Sequence, residues 1–237
     1  MEATNNHSRG PLRLDRRRLL ISLGGLCAYL ALGMLLPAGT WKWARGWLFL
    51  AVTVGASILA TVYLRRVNPE IIAARVNRHE GTKRWDKILL AFFFPTIMAI
   101  PFVAALDDGR FHWFYVPWWA CVLGYVLLLA GTAGVTWAEA ANRFFEPTVR
   151  IQADRGHEVV DAGPYALIRH PGYASALPFL IGLALALGSL WALIPVLLAC
   201  ALLIVRTALE DRLLHRELPG YREYARRVRS RLVPGVW

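Results

Sequence analysis

The stretch 174–205 reads ASALPFLIGLALALGSLWALIPVLLACALLIV and holds thirty-two residues without a single charge. As one helix it would be ~48 Å long, well beyond the ~30 Å hydrocarbon core of a membrane. Gly188-Ser189 lies near its middle with one proline on either side, and such residues are typical of helix breaks and turns. The stretch therefore predicts two short membrane helices, over 173–187 and 190–206, that form a tight hairpin.

Four further uncharged runs precede this hairpin in a chain of 237 residues that is 57% hydrophobic. They cover 19–36, 47–64, 88–106 and 113–137, and each approaches the ~20 apolar residues that a membrane-crossing helix needs. The sequence thus predicts an all-α, polytopic integral membrane protein with about six transmembrane segments.

The basic residues are distributed unevenly between alternate loops. Of the 27 lysines and arginines, 24 lie in four segments, whereas the other loops hold only Lys42, Arg45 and Arg110. Cytoplasmic loops carry such an excess, so both termini are predicted to face the cytoplasm. The net charge of +11 then follows from topology and lipid headgroups, and nucleic-acid binding is not expected. The four basic segments are 1–18, 65–87, 138–172 and 206–237.

The charge pattern divides the chain into three parts. Residues 1–18 form a basic cytoplasmic tail, and 19–137 contain four transmembrane helices with an interfacial helix near 69–79, introduced by Asn68-Pro69-Glu70. Residues 138–237 contain a polar cytoplasmic loop, the hairpin and a basic C-terminal tail. The polar groups of the last part should meet at the cytoplasmic mouth of the hairpin.

Three glycines lie in the fourth uncharged run, at Gly124, Gly131 and Gly134. Small residues at such spacing allow the backbones of membrane helices to approach closely. We therefore expect another helix to pack tightly against this one.

The segment Gly163–Tyr173, GPYALIRHPGY, places ionisable and aromatic groups directly before the hairpin. A helix that starts near Pro171 offers free backbone N–H groups and a positive dipole end, which suit a carboxylate or phosphate. Alternatively, Arg169 reaches the headgroups and both tyrosines belong to an interfacial belt.

Arg206 and Glu210 stand four residues apart at the other end of the hairpin, next to Asp211. This spacing is compatible with a simple ion pair on one helix face. However, ionisable groups at membrane depth tend to line functional cavities, and this cluster should converge with the preceding loop.

The pattern Gly-Pro-Tyr-x-x-x-Arg-His-Pro-x-Tyr, an apolar hairpin, Arg-x-x-x-Glu-Asp-x-x-Leu and Pro-Gly-Tyr-x-x-Tyr resembles the isoprenylcysteine carboxyl methyltransferase and phospholipid methyltransferase superfamily. The resemblance covers about residues 139–237. It implies a membrane methyltransferase that binds S-adenosylmethionine in a cytoplasmic pocket formed by the last hairpin and its flanking loops. No dinucleotide-binding motif is present, which agrees with such a pocket.

The resemblance also implies roles for individual residues. Arg206 matches the substrate-contacting arginine and would orient an anionic acceptor. The acidic pair, usually Glu-Glu in the superfamily, is Glu210-Asp211 here. The residues at cofactor-contacting positions are Gln152, His157, Glu158, Val159, Val160, Tyr165, His170, Pro171, Gly172, Tyr173 and Glu210.

Several functional alternatives remain open on the sequence. Carboxyl methylation of a lipid-like or prenylated acceptor is favoured, and N-methylation of a phospholipid amine is possible. An ammonium acceptor would need a base, for which His170 or His157 is a candidate. A membrane reductase of the sterol type would use NADPH instead, and a small transporter or assembly factor is a non-enzymatic alternative.

No catalytic metal is expected, because the histidines and cysteines lack the spacing of metal-binding motifs. The partners expected are a lipophilic or prenylated substrate and membrane lipid. Arginine outnumbers lysine by 24 to 3, which hints at a GC-rich bacterium. The expected location is the bacterial inner membrane, with the active site facing the cytoplasm.

Overall fold

A computed structural model describes Arg17 and residues 20–21, 24–25, 28–29, 31–71 and 81–237. This part of the chain is helical and contains no β-strand, as the sequence predicts. A short helical segment, Ala31–Leu35 with π-helical geometry and Leu36–Ala38 with α-helical geometry, comes first. The helices that follow are α1 (Ala44–Val67), α2 (Arg84–Ala104), its π-helical continuation Ala105–Phe111, α3 (Trp118–Ala141), α4 (Pro171–Ala186), α5 (Leu193–Glu217) and α6 (Tyr221–Arg227).

Four helices of the described part are long and apolar enough to cross a membrane: α1, Arg84–Phe111, α3 and α5. They correspond to the second, third, fourth and sixth predicted segments. The first segment, 19–36, is only partly described, and the interfacial helix near 69–79 falls mostly on residues 72–80, outside the described residues. The count of six segments and the orientation of the termini stay predictions.

The predicted break in the long apolar stretch is confirmed. Helix α4 ends at Ala186 and α5 begins at Leu193. Gly188 lies between them with a φ of 73°, a left-handed conformation that favours glycine. The Ser189 hydroxyl donates to the Asp107 carboxylate at 2.6 Å, so this hydrogen bond joins the turn to the π-helical continuation of α2.

Helices α3 and α4 pack at backbone contact along their length. A Cβ atom added at Gly124 would lie 2.3 Å from the backbone nitrogen of Ala186, and one at Gly182 would lie 2.5 Å from that of Leu128. At Gly131 the added atom would meet a side chain of α4 at 2.6 Å. The close approach expected from the α3 glycines is thus confirmed, and it fixes the start of α4 beside the end of α3.

Candidate active site

A cavity of about 180 Å³ lies where α3 ends and α4 begins. The segment after α3, the polar loop, the first turn of α4, the second half of α5 and the start of α6 all contribute to its wall. The polar or aromatic residues that line it are Asn142, Phe144, Phe145, Glu146, Thr148, Arg150, Gln152, His157, Glu158, Tyr165, Arg169, His170, Tyr173, Arg206, Glu210, Tyr221 and Tyr224.

Eleven of the twelve residues singled out from the sequence line this one cavity. They are Gln152, His157, Glu158, Val159, Val160, Tyr165, His170, Gly172, Tyr173, Arg206 and Glu210. Pro171, which begins α4 and is buried, does not line it. The structure therefore brings the predicted residues together, while their roles stay predictions.

The Arg206 side chain is buried and forms an ion pair with Asp86 of α2. Its Nε donates to Asp86 Oδ1 at 2.7 Å, and its Nη2 donates to Oδ2 at 3.3 Å. Nη2 also donates to the Pro147 carbonyl at 2.7 Å, and the guanidinium carbon lies 5.5 Å from the centre of the Tyr173 ring. Arg206 thus reaches the cavity wall already paired, and its partner is not Glu210.

Three acidic residues line the cavity: Glu146, Glu158 and Glu210. Glu146 and Glu158 form ion pairs with arginines, whereas the ion pairs of the described residues do not include Glu210. It accepts a hydrogen bond from the Tyr173 hydroxyl. This contact joins the first turn of α4 to α5, so the two clusters converge as the sequence predicts. A partly exposed carboxylate in this position can receive a positively charged ligand group.

Asp211 is the centre of a buried polar network behind the cavity. Its carboxylate accepts from Arg169 Nε at 2.9 Å, Arg231 Nε at 2.8 Å and the Tyr221 hydroxyl at 2.9 Å, and His170 Nε2 lies 3.3 Å away. Burial, together with the Asp211 charge, raises the pKa of the Tyr221 phenol. The network locks the start of α4, α5, α6 and the C-terminal tail together.

Arg169 does not reach out to lipid headgroups, which was one alternative for this residue. It is 8% exposed, and besides Asp211 its Nη1 binds the carbonyls of Val228 and Arg229 at 2.9 and 2.7 Å. Its donors are therefore engaged within the protein, and its contribution is to hold the tail against the cavity.

His157 is held in its neutral form at the loop side of the cavity. Burial lowers its pKa to about 4. The Gln152 backbone N–H points to its Nδ1 at 3.3 Å, and its ring lies 4.7 Å from that of Phe144. Near pH 7 the ring is thus a weak proton acceptor with its Nδ1 already occupied.

Tyr165 is likewise fixed by the elements around it. Asn142 Nδ2 donates to its hydroxyl at 3.1 Å, and the Tyr224 hydroxyl donates to its backbone carbonyl at 2.7 Å. Burial raises the pKa of the Tyr165 phenol, so it stays uncharged. Tyr165 therefore contributes a neutral, fixed surface to the cavity.

Asp86 is the residue of this site that sequence reasoning missed. It is fully buried, although it lies only three residues after Lys83 in a segment that was assigned to a basic loop. The available signal was an acidic residue in the first turn of an apolar helix, where an unpaired carboxylate would be costly. Among the described residues, no group of three His, Cys, Asp or Glu side chains could hold a metal ion.

Residues 122–216 match the sequence model of the isoprenylcysteine carboxyl methyltransferase (ICMT) family. The chain is also similar to the cobalt-zinc-cadmium resistance protein CzcN of Cupriavidus metallidurans, with 35% identity over 106 residues, 44% of this chain and 47% of that protein. The nickel-cobalt-cadmium resistance protein NccN of Alcaligenes xylosoxydans xylosoxydans is 33% identical over 105 residues, 43% of this chain and 47% of that protein. The chain matches about half the length of these curated relatives.

Proposed function

We propose that this protein transfers a methyl group from S-adenosylmethionine to a lipid-like or prenylated acceptor, because residues 122–216 match the sequence model of the isoprenylcysteine carboxyl methyltransferase family. The observation that carries this proposal is the convergence of the expected residues on one cavity. They come from the polar loop, the start of α4 and the second half of α5, which are up to 58 positions apart, from Gln152 to Glu210.

The lining of the cavity fits the chemical groups of S-adenosylmethionine. The Glu210 carboxylate suits its positively charged groups, and the aromatic rings beside Phe144 offer flat surfaces for a heteroaromatic base. The Thr148 hydroxyl is buried without a hydrogen-bond partner in the described part of the chain, so a polar donor or acceptor can still be met there. Neutral His157 and Tyr165 add surface without adding charge.

When bound, S-adenosylmethionine supplies a methyl group that its sulfonium has already activated for displacement. The residues of this chain then have to position the reactants, and positioning alone can contribute several powers of ten in rate. Tyr173 and Glu210 are fixed to each other by a hydrogen bond, and Arg206 is fixed by Asp86, so the wall is ordered before substrate arrives.

A carboxylate acceptor is the simpler substrate for this wall. It is already nucleophilic and needs no general base, whereas an ammonium acceptor must first lose a proton. The low pKa of His157 makes it a poor base near neutral pH, and His170 Nε2 lies against Asp211 and the Tyr221 hydroxyl. Of these observations, the low pKa of His157 favours carboxyl methylation over amine methylation.

We place the protein in the bacterial inner membrane, with the cavity on the cytoplasmic side. The support is the concentration of arginines in the loops and tail around the cavity, as the positive-inside rule requires. The curated relatives are named for metal resistance. Whether this chain contributes to tolerance of cobalt, zinc or cadmium is testable by deleting its gene and measuring growth in the presence of each cation.

The decisive experiment is calorimetry on the purified full-length protein with S-adenosylmethionine and, separately, NADPH. We expect binding of S-adenosylmethionine alone, followed by transfer of labelled methyl to a lipid fraction of extracted membranes. Binding of NADPH without S-adenosylmethionine would support the sterol-type reductase. Binding of neither, in a folded protein, would support a non-enzymatic role.

A further inference from the structure

We propose that Asp86 is a positioning residue that fixes the orientation and cancels the charge of Arg206, and thereby sets how the acceptor is held. This inference rests on the proposed methyltransferase function. It adds a residue from outside the family-matched segment 122–216 to the acceptor side of the cavity.

The geometry of the pair leaves Arg206 little freedom. Two parallel hydrogen bonds, of 2.7 and 3.3 Å, join its Nε and Nη2 to the two oxygens of Asp86. Asp86 is 0% exposed and Arg206 is 7% exposed, so neither group can exchange its partner for water. Bidentate pairing of this kind imposes direction as well as charge.

The same carboxylate also holds the chain that borders the cavity. Asp86 Oδ2 accepts the backbone N–H of Val149 at 2.7 Å, while Arg206 Nη2 donates to the carbonyl of Pro147 at 2.7 Å. Pro147, Thr148, Val149 and Arg206 all line the cavity. Asp86 therefore ties the arginine and this strip of backbone into one unit.

The pairing determines what Arg206 offers to an acceptor. Nε and Nη2 are used, whereas Nη1 makes no hydrogen bond to the described residues and has two N–H groups left. The pair as a whole is neutral. Arg206 can thus donate hydrogen bonds in a fixed direction, but it attracts anions less strongly than an unpaired cation would.

Removal of the Asp86 charge tests whether this residue orients Arg206 or only stabilises the fold. In Asp86→Asn, we expect kcat to fall at least tenfold and the acceptor KM to change, because Arg206 is no longer held in one orientation. The dissociation constant for S-adenosylmethionine should stay within about threefold of wild type. Inhibition by chloride or sulfate should become stronger, because the buried cation is no longer compensated.

The matched control is Asp161→Asn, the same chemical change in an exposed ion pair with Arg227. It should leave all four quantities unchanged. If the wild-type protein binds no S-adenosylmethionine, the proposed function fails first and this inference fails with it. If wild type is active and Asp86→Asn retains its kcat, acceptor KM and salt response, only the inference is overturned.

A second variant covers the case in which Asp86→Asn does not fold. Asp86→Glu keeps the negative charge but displaces the carboxylate by one methylene. A positioning role requires a lower kcat with cofactor binding preserved in this variant. Wild-type kcat and acceptor KM in Asp86→Glu would show that only charge balance matters and would overturn the proposal.

Discussion

Substitution of Asp211 by asparagine should strongly destabilise the end of the protein that contains the cavity. The change preserves size but removes the charge that faces Arg169 at 2.9 Å and Arg231 at 2.8 Å, and it places an amide N–H₂ toward donors. Arg169 is only 8% exposed and would become an uncompensated buried cation. Loss of one partner of a buried pair costs about 3–5 kcal/mol.

This cost corresponds to a fall in melting temperature of roughly 6–20 °C for a chain of this size. Differential scanning fluorimetry in detergent would measure it, and limited trypsinolysis would report release of the C-terminal tail, since Arg169 also binds the carbonyls of Val228 and Arg229. Asp161→Asn should shift the midpoint by less than about 4 °C, since exposed pairs contribute little. A midpoint for Asp211→Asn equal to that of Asp161→Asn, with no faster cleavage of the tail, would refute the assignment of this network as a structural lock.

Three further outcomes are expected. Gly182→Ala should destabilise by about 1–3 kcal/mol, because its Cβ would lie 2.5 Å from a backbone nitrogen of α3, whereas Gly55→Ala, with open space around it, should have little effect in the same thermal assay. Glu210→Gln should weaken S-adenosylmethionine binding about tenfold or more by calorimetry, while Glu217→Gln on the same helix should not. The His157 pKa of about 4, below the ordinary 6.5, means that the unfolded chain takes up a proton first as the pH falls. Its contribution to stability should therefore be complete above about pH 6.5 and decline toward about pH 4, and His157→Gln should remove that part of a melting-temperature profile against pH.

The broad architecture was predictable because it depends on local composition. The uncharged stretch 174–205, with Gly188-Ser189 near its middle, was enough to predict two helices that reverse direction. A single helix of that length would exceed the thickness of the bilayer, which leaves few alternatives. The boundaries were less predictable. Helix α5 continues to Glu217, eleven residues beyond the predicted end at 206, because hydrogen bonds within the protein satisfy its polar residues and let the helix extend past the apolar run.

The residues that line the cavity were predictable where they belong to sequence motifs, as His170 and Glu210 do. The pairing of its charges was not. Arg206 could have paired with Glu210 four residues away, but it binds Asp86, 120 positions earlier. Such a choice depends on which helices pack together, and the spacing of residues along one helix does not contain that information.

The brevity of α4 has a consequence for the surrounding lipid. With 16 residues, this helix is ~24 Å long, about 6 Å less than a typical hydrocarbon core. A bilayer can accommodate such a short helix by becoming thinner beside it, and each ångström of mismatch has a modest energetic cost. Thinning brings the headgroups of the adjacent leaflet closer to the start of α4, where Gly172 and Tyr173 border the cavity. For the proposed methyl transfer, acyl-chain length in the host membrane would control how readily a lipid-borne acceptor reaches the site. Vesicles of short-chain lipids should then support faster turnover than those of long-chain lipids.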